Sequence, residues 1–435
     1  MSGPVWQEPQ QLQHRRLRGL LLAVGLLTAA VVAGVAVRVD GPEPPADGRL
    51  QIAEPSPDPP PTPRRTRSPR PRPTPRPTPP DAAGSWTAGT AEPPLPARDV
   101  SPVWSGAELL VWGGELWEPD GWRTRFFADG GAYDPAADRW RLLPPGPLTP
   151  RAGHIAVWAG GELIVWGGRG PIGLFSDGAA YDPASDRWRP LAPSPLSPRA
   201  GATGVWTGEE LLLLGGADNT GPLTDFAAYD PARDAWRLLS FPDAFADRPP
   251  EGLDGLWDGQ AAVFWHRWAS SQDEPASGWA ISRYEPAAGS WAHLPAPPEP
   301  ANGGYLELAW TGRELVAVFS EYGQPAAIAV LGLEDDAWRP LDLGENGWRT
   351  GTQGEQIGVW GRDRLYVLVG ATRPLTVDVQ LAQWQRLPEA PLGRGAWWGS
   401  AVWTGDGLLA WRRSEAADER PWFSTALWHP ADQDP

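Results

Sequence analysis

From about residue 82 to the C-terminus, apolar residues come in short runs separated by Gly-containing turns and polar stretches. "GVWTGEELLLLGG" (204–216) is the clearest case. A short apolar segment ends on Trp206, a tight Gly turn follows, and a second apolar segment ends on a Gly pair. Runs of this length between turn residues predict β-strands paired as hairpins. The first segment recurs once per unit, ending at Trp104, Trp158, Trp206, Trp257, Trp310, Trp360 and Trp403.

A second phrase keeps step with the first. "YDPAADRW" (133–140), "YDPASDRW" (181–188) and "YDPARDAW" (229–236) lie 48 residues apart, and weaker copies close at Trp291, Trp338 and Trp384. The intervals between closing Trp residues are 48, 48, 55, 47 and 46. Short strands repeating with a period of 40–50 residues predict a propeller or an array. The phrase reads as a hairpin: the Tyr ends a strand, the Asp-Pro segment turns, and the Trp begins an outer strand. Both Asp carboxylates are expected to accept turn amides. A metal site is not expected from them, because the pair recurs at every turn without further ligands. The Trp is expected to pack between blades, where burying about 200 Å² at roughly 25 cal/mol/Å² contributes on the order of 5 kcal/mol as an upper bound.

The chain ends in "STALWHPADQDP", which lacks a closing Trp, while "AAGSW" at 82–86 repeats "AAGSW" at 287–291. An N-terminal strand carrying Trp86 is therefore expected to complete the last unit and remove the free sheet edges. The fold class expected is all-β: a seven-bladed β-propeller of four-stranded antiparallel blades over residues 82–435. Its blade Trp residues would be Trp86, Trp140, Trp188, Trp236, Trp291, Trp338 and Trp384.

The Gly pairs of "VWGG" (Gly113 and Gly114, Gly167 and Gly168) and "LLGG" (Gly215 and Gly216) precede a Tyr by 14 to 20 residues, with the Trp seven later. This pattern resembles the kelch repeat. The likeness is specific in the first three units; the fourth, fifth and seventh lack the Gly pair, and the sixth keeps Gly370 alone. It implies four-stranded blades around a central channel. It implies no single activity, since kelch propellers include protein-binding modules, sugar-modifying enzymes and copper oxidases.

Upstream, residues 19–37 are uncharged and apolar, about 29 Å long as a helix, and so long enough to cross a bilayer core. Arg15, Arg16 and Arg18 precede the run, and Asp40 and Glu43 follow it soon after Arg38. That asymmetry places residues 1–18 inside and the remainder outside as a single-pass membrane protein. A cleaved signal peptide, with Gly34 and Ala36 as the small residues before the cut, giving a secreted protein, is the alternative. Residues 41–81 are Pro-rich with six Arg between 64 and 76, and read as a stiff polyproline II stalk without a core.

Composition narrows the function. A net charge of −16 argues against nucleic-acid binding through a general positive field. The absence of Cys removes disulfides, thiolate metal sites and the Cys–Tyr crosslink that the kelch-like copper oxidases imply. No P-loop, GxSxG elbow or zinc motif is present, so neither a cofactor nor a catalytic residue is assigned.

One further series stands out. Arg98, Arg151, Arg199, Arg248, Arg349 and Arg394 follow the closing Trp residues by 10 to 12 positions, and Asn302 takes that place in the fifth unit. Lying just before the innermost strands, they would gather at one mouth of the channel. Two readings stay open: a cationic ring that binds an anionic ligand, or arginines that satisfy neighbouring backbone carbonyls. The sequence thus leads to a monomeric, membrane-tethered, extracytoplasmic module that binds a protein or glycan at one mouth. The alternative is a carbohydrate-active enzyme using Glu251, Asp254 or Glu345. His154, after "RAG", is expected to fill a core or hydrogen-bonding role.

Overall fold

The protein is described by a computed structural model. It describes residues 81–96, 98–117, 124–241, 251–268, 278–298, 305–320, 327–335, 337–343, 356–369, 374–392, 397–413 and 423–431. All lie in the larger of two units, Pro75–Pro435; the other, Met1–Thr74, is outside the described residues. The expected tail, membrane anchor and nearly all of the Pro-rich stalk therefore fall outside them, as do Arg248, Asn302, Glu345, Arg349, Gly370 and Arg394. No helix among the described residues is long and apolar enough to cross a membrane.

Seven four-stranded antiparallel sheets follow one another along the chain. Blade 1 comprises Val103–Trp104, Leu109–Trp112, Gly130–Asp134 and Arg139–Leu142. Blade 2 comprises Ile155–Ala159, Glu162–Trp166, Gly178–Asp182 and Arg187–Pro190, and blade 3 Thr203–Trp206, Leu211–Leu214, Phe226–Asp230 and Ala235–Leu239. Blades 4, 5 and 6 begin with Glu251–Trp257, Tyr305–Trp310 and Gln356–Gly361. Blade 7 contains Trp397–Trp403, Leu408–Arg413 and Phe423–Pro430, and its fourth strand is Gly84–Ala88 from the other end of the described chain. Trp86 pairs with Trp428 and Gly84 with Pro430, so the ring closes as the repeated "AAGSW" implied. The first strands of successive blades touch one another from blade 1 round to blade 7 and line the axis.

Apolar clusters fill the seams between blades. Each seam holds two periodic Trp. The inner one ends the first strand and packs back on the preceding blade, as Trp403 does by stacking on Tyr366 at 5.3 Å. The outer one begins the fourth strand; six of the seven donate their indole N–H backwards, Trp188 to the Pro144 carbonyl at 3.0 Å and Trp236 to Ala192 at 2.9 Å among them. Half of the 28 Trp in the chain are accounted for by these two rings.

The Gly pair explains where the second strand stops. Gly167 and Gly168 have φ of +69° and +97°, and a Cβ on Gly168 would lie 2.9 Å from the Ala152 carbonyl oxygen. A left-handed pair with no room for side chains ends the strand after four or five residues in blades 1 to 3. Blades 4, 5 and 7 lack the pair, and their second strands run on to seven, seven and six residues.

Candidate functional site: the mouth of blades 1 to 3

The connections between strands two and three, and from one blade to the next, share one end of the propeller, the mouth; the tight turns share the other. In blade 1 the connection folds into an accessory hairpin, Glu115–Trp117 with Thr124–Phe126, and in blade 2 into Arg169–Gly170 with Gly173–Leu174. The two lean together. Arg169 Nη2 meets Glu115 Oε1 at 2.5 Å, and the Arg169 guanidinium lies 5.7 Å from the Phe126 ring centre. Burial pushes the Glu115 carboxyl above its ordinary range against the pull of Arg169, with Asp99 adding to the rise. At the tip of the second hairpin Ile172 is 81% exposed, the most exposed large apolar side chain among the described residues. Beside the first hairpin lies an open cleft of about 410 Å³ lined by Arg125, Phe126, Phe127, Ala128, Asp129, Leu143 and Pro145.

The expected cationic ring takes a different form in the three arginines that are described. Arg98, Arg151 and Arg199 have 0% side-chain exposure. Each Nε–H donates to a carbonyl two residues earlier (Pro96, Thr149, Ser197), and each Nη1 donates to the first Gly of the pair (Gly113, Gly167, Gly215). Each guanidinium also holds a carboxylate: Asp129 at 2.7 Å, Asp177 at 2.8 Å and Asp225 at 2.6 Å. Phe127 and Phe175 stack on the guanidinium groups of Arg98 and Arg151, with centroid distances of 3.9 and 4.1 Å. These three buried side chains satisfy the framework, and each is matched by a carboxylate that is itself more than half exposed (53–59%). An exposed cationic crown would require solvent-facing guanidinium groups, which these are not.

The main chain of the same residues binds the previous blade. Arg151 N–H donates to the Phe127 carbonyl, and the Arg151 carbonyl accepts from Gly114; Arg199 repeats this with Phe175 and Gly168. One residue therefore staples two blades, by backbone to the blade before and by side chain to its own. Sequence reasoning missed the carboxylate partners, although a signal existed: an Asp lies four residues before Tyr133, Tyr181 and Tyr229 alike.

The repeated turn phrase is structural, with one correction. The first Asp serves the turn as expected: Asp182 accepts from the Ala184 amide at 2.8 Å. The second adopts a left-handed backbone (φ 55° at Asp186) and accepts from the Tyr181 hydroxyl at 2.6 Å. Asp234 reaches further, to the Ala192 amide of blade 2 at 2.9 Å, and Asp138 takes the amides of Thr90 and Ala91 beside the closing strand. The second carboxylate therefore holds the Tyr of its own hairpin and, at Asp138 and Asp234, amides of the neighbouring segment, in place of turn amides.

Two titratable groups sit off the mouth surface. His154 lies in the seam of blades 1 and 2, its ring edge-on to Trp112 at 5.4 Å, with the Nδ1 buried and unpartnered. Burial and then the charge of Arg151 bring its pKa down to about 4, against a hydrogen bond to the Trp112 backbone. Asp254 lies in the middle of the innermost strand of blade 4, exposed to the channel, and burial among protein atoms pushes its carboxyl up.

Residues 84–252 match the family model described as the KLHDC2/KLHL20/DRC7 Kelch-repeats domain. The match covers the closing strand and blades 1 to 3, the part of the ring that carries the Gly pairs and the buried arginines. No curated protein matches the chain.

Proposed function

Because the chain is a kelch-repeat β-propeller, we propose that it works as a protein-binding module whose contact surface is the mouth of blades 1 and 2. The observation that carries this reading is the pair of accessory hairpins, with Ile172 raised at the tip of one and an aromatic cleft beside the other. A rigid ring holds these loops at fixed positions, so little ordering entropy is lost when a partner meets them. An exposed apolar tip on the hairpin that carries Arg169, with Arg125 lining the cleft beside the neighbouring hairpin, supplies the apolar and charged groups of an interface.

In the finer reading, the module is single-pass and extracytoplasmic, held to the membrane by residues 19–37 through the Pro-rich stalk. The charge asymmetry around that segment supports this orientation.

The test is a peptide and glycan array probed with the full chain. Binding is expected to fall at least tenfold in Ile172→Asp and to persist in Leu238→Asp, a comparably exposed position (64%) on an outer strand of blade 3. Signals indifferent to Ile172 would overturn the reading. A glycan bound and then cleaved would replace it with a carbohydrate-active enzyme.

A further inference from the structure

We propose that the central channel receives a basic side chain of the bound protein, with Asp254 as its counter-ion; this rests on the protein-binding reading above. The seven innermost strands carry no Arg, Lys or His at any position, and their only charged residues are Glu251, Asp254 and Glu307. On these strands the only charges in the sequence are thus acidic, and they lie in blades 4 and 5.

Asp254 is the group left open. A β-bulge between Glu251 and Asp254 breaks the register with the second strand, and Gly252 takes φ +65° within it. Bulges re-aim side chains. Asp254 pairs in register with Trp265, whose indole N–H donates to the Leu306 carbonyl of blade 5. That places the carboxyl on the blade 5 side of its strand, and its exposure in the middle of an innermost strand means that it faces the channel. Its one hydrogen bond comes from the adjacent Gly255 amide at 2.9 Å. Burial raises its proton affinity, the Gly255 amide lowers it, and no charged side chain contributes.

Arg98, Arg151 and Arg199 each have an oppositely charged partner within their own blade, whereas no charged side chain acts on Asp254. A carboxylate in a confined channel gains more from a cation than one on the surface, because solvent and salt screen the pair less. Chemistry favours a guanidinium or ammonium carried on a long stem, which can reach a carboxylate midway along a strand.

The probe is a tetra-arginine peptide, titrated calorimetrically into the full chain at pH 7 and 0.15 M salt, where exposed carboxylates bind it weakly. Asp254→Asn is expected to weaken binding at least tenfold, and Glu209→Gln, on an exposed turn, by less than twofold. Equal affinity for wild type and Asp254→Asn would overturn the proposal. If the Asn variant does not fold, the Asp254 carboxyl carbon resonance of the wild type decides. Its titration midpoint should fall when the peptide is present, and an unmoved midpoint rejects the assignment. The mouth reading fails separately: Ile172→Asp should abolish the array signals while tetra-arginine still binds.

Discussion

Arg151 Nη1 lies 2.8 Å from Asp177 Oδ1, joining the residue that opens blade 2 to the one that precedes its third strand. The same guanidinium holds the Thr149 and Gly167 carbonyls, and the Arg151 backbone clasps blade 1. Removing the side chain leaves two carbonyls without donors inside the seam. Arg151→Ala is therefore expected to lower stability by about 3 kcal/mol. Arg151→Lys should recover little of it, since an ammonium cannot span a carbonyl, a second carbonyl and a carboxylate in one plane. Denaturant midpoints of the three proteins check this, and a near-neutral Arg151→Ala would refute the staple.

Blade 1 carries an imperfect copy of this staple. Arg151 Nη2 donates to Thr149 Oγ1 at 3.1 Å and Arg199 Nη2 to Ser197 Oγ at 2.9 Å. Pro96 occupies the corresponding position, and Arg98 Nη2 is buried without a partner. Pro96→Ser is expected to raise stability by about 1 kcal/mol by supplying the missing acceptor, less the entropy that the proline ring withheld from the unfolded chain. A double variant with Arg98→Ala isolates the effect: the gain should disappear when Arg98 is absent.

The ring was legible in the sequence because its determinants are periodic. Two Trp per unit mark the two ends of each blade seam, and the Gly pairs mark where second strands must stop. The duplicated "AAGSW" gave the closure. The mouth was less legible for a physical reason. Offset from a Trp fixes where Arg151 lies along the chain, but not whether its guanidinium turns outward or inward; that depends on Asp177, which belongs to a different strand. The accessory hairpins break the period and so carried no repeat signal beyond the longer gap from Gly114 to Tyr133 than from Gly168 to Tyr181. Asp254 was visible as a carboxylate, but the lack of a cation beside it on the innermost strands depends on six other strands that carry none.

Trp188 packs on Tyr181 of its own blade at 5.2 Å and on Trp112 of blade 1 at 5.7 Å, and donates to Pro144. Trp188→Ala should cost about 3–5 kcal/mol through lost burial and the cavity left in the seam. Trp188→Phe keeps most of the apolar contact and loses the hydrogen bond, so it should cost roughly a third as much. Melting temperatures of the pair against wild type give the ratio.

Gly84–Ala88 is the only strand that reaches blade 7 from the far end of the described chain. Deleting residues 82–88 would strip the fourth strand and expose the edge of Phe423–Pro430 together with the seam face of Trp428, which is 1% exposed in the closed ring. An uncovered strand edge of five residues, Ala426 to Pro430, is a template for association. Light scattering is expected to show soluble oligomers or aggregate in place of a single species. A monodisperse variant with an unchanged melting temperature would mean that the ring is held without its latch.

His154 makes stability depend on pH in a direction that can be worked out in advance. Its folded-state pKa is brought to about 4, against roughly 6.5 in an unfolded chain. The folded state therefore binds the proton less readily than the unfolded state. The neutral ring is fully favourable above about pH 6.5, and stability drains away as the pH falls towards 4, by up to about 3 kcal/mol. Blade 3 carries Ala202 at the same place, three residues after its Arg, so the seam accepts a small side chain there. His154→Ala should be less stable than wild type at pH 7.5 because of the space it leaves beside Trp112. Its stability should also fall less steeply between pH 6.5 and 4, so that the two denaturation curves converge in acid. Parallel pH dependences in the two proteins would show that the acid sensitivity arises elsewhere.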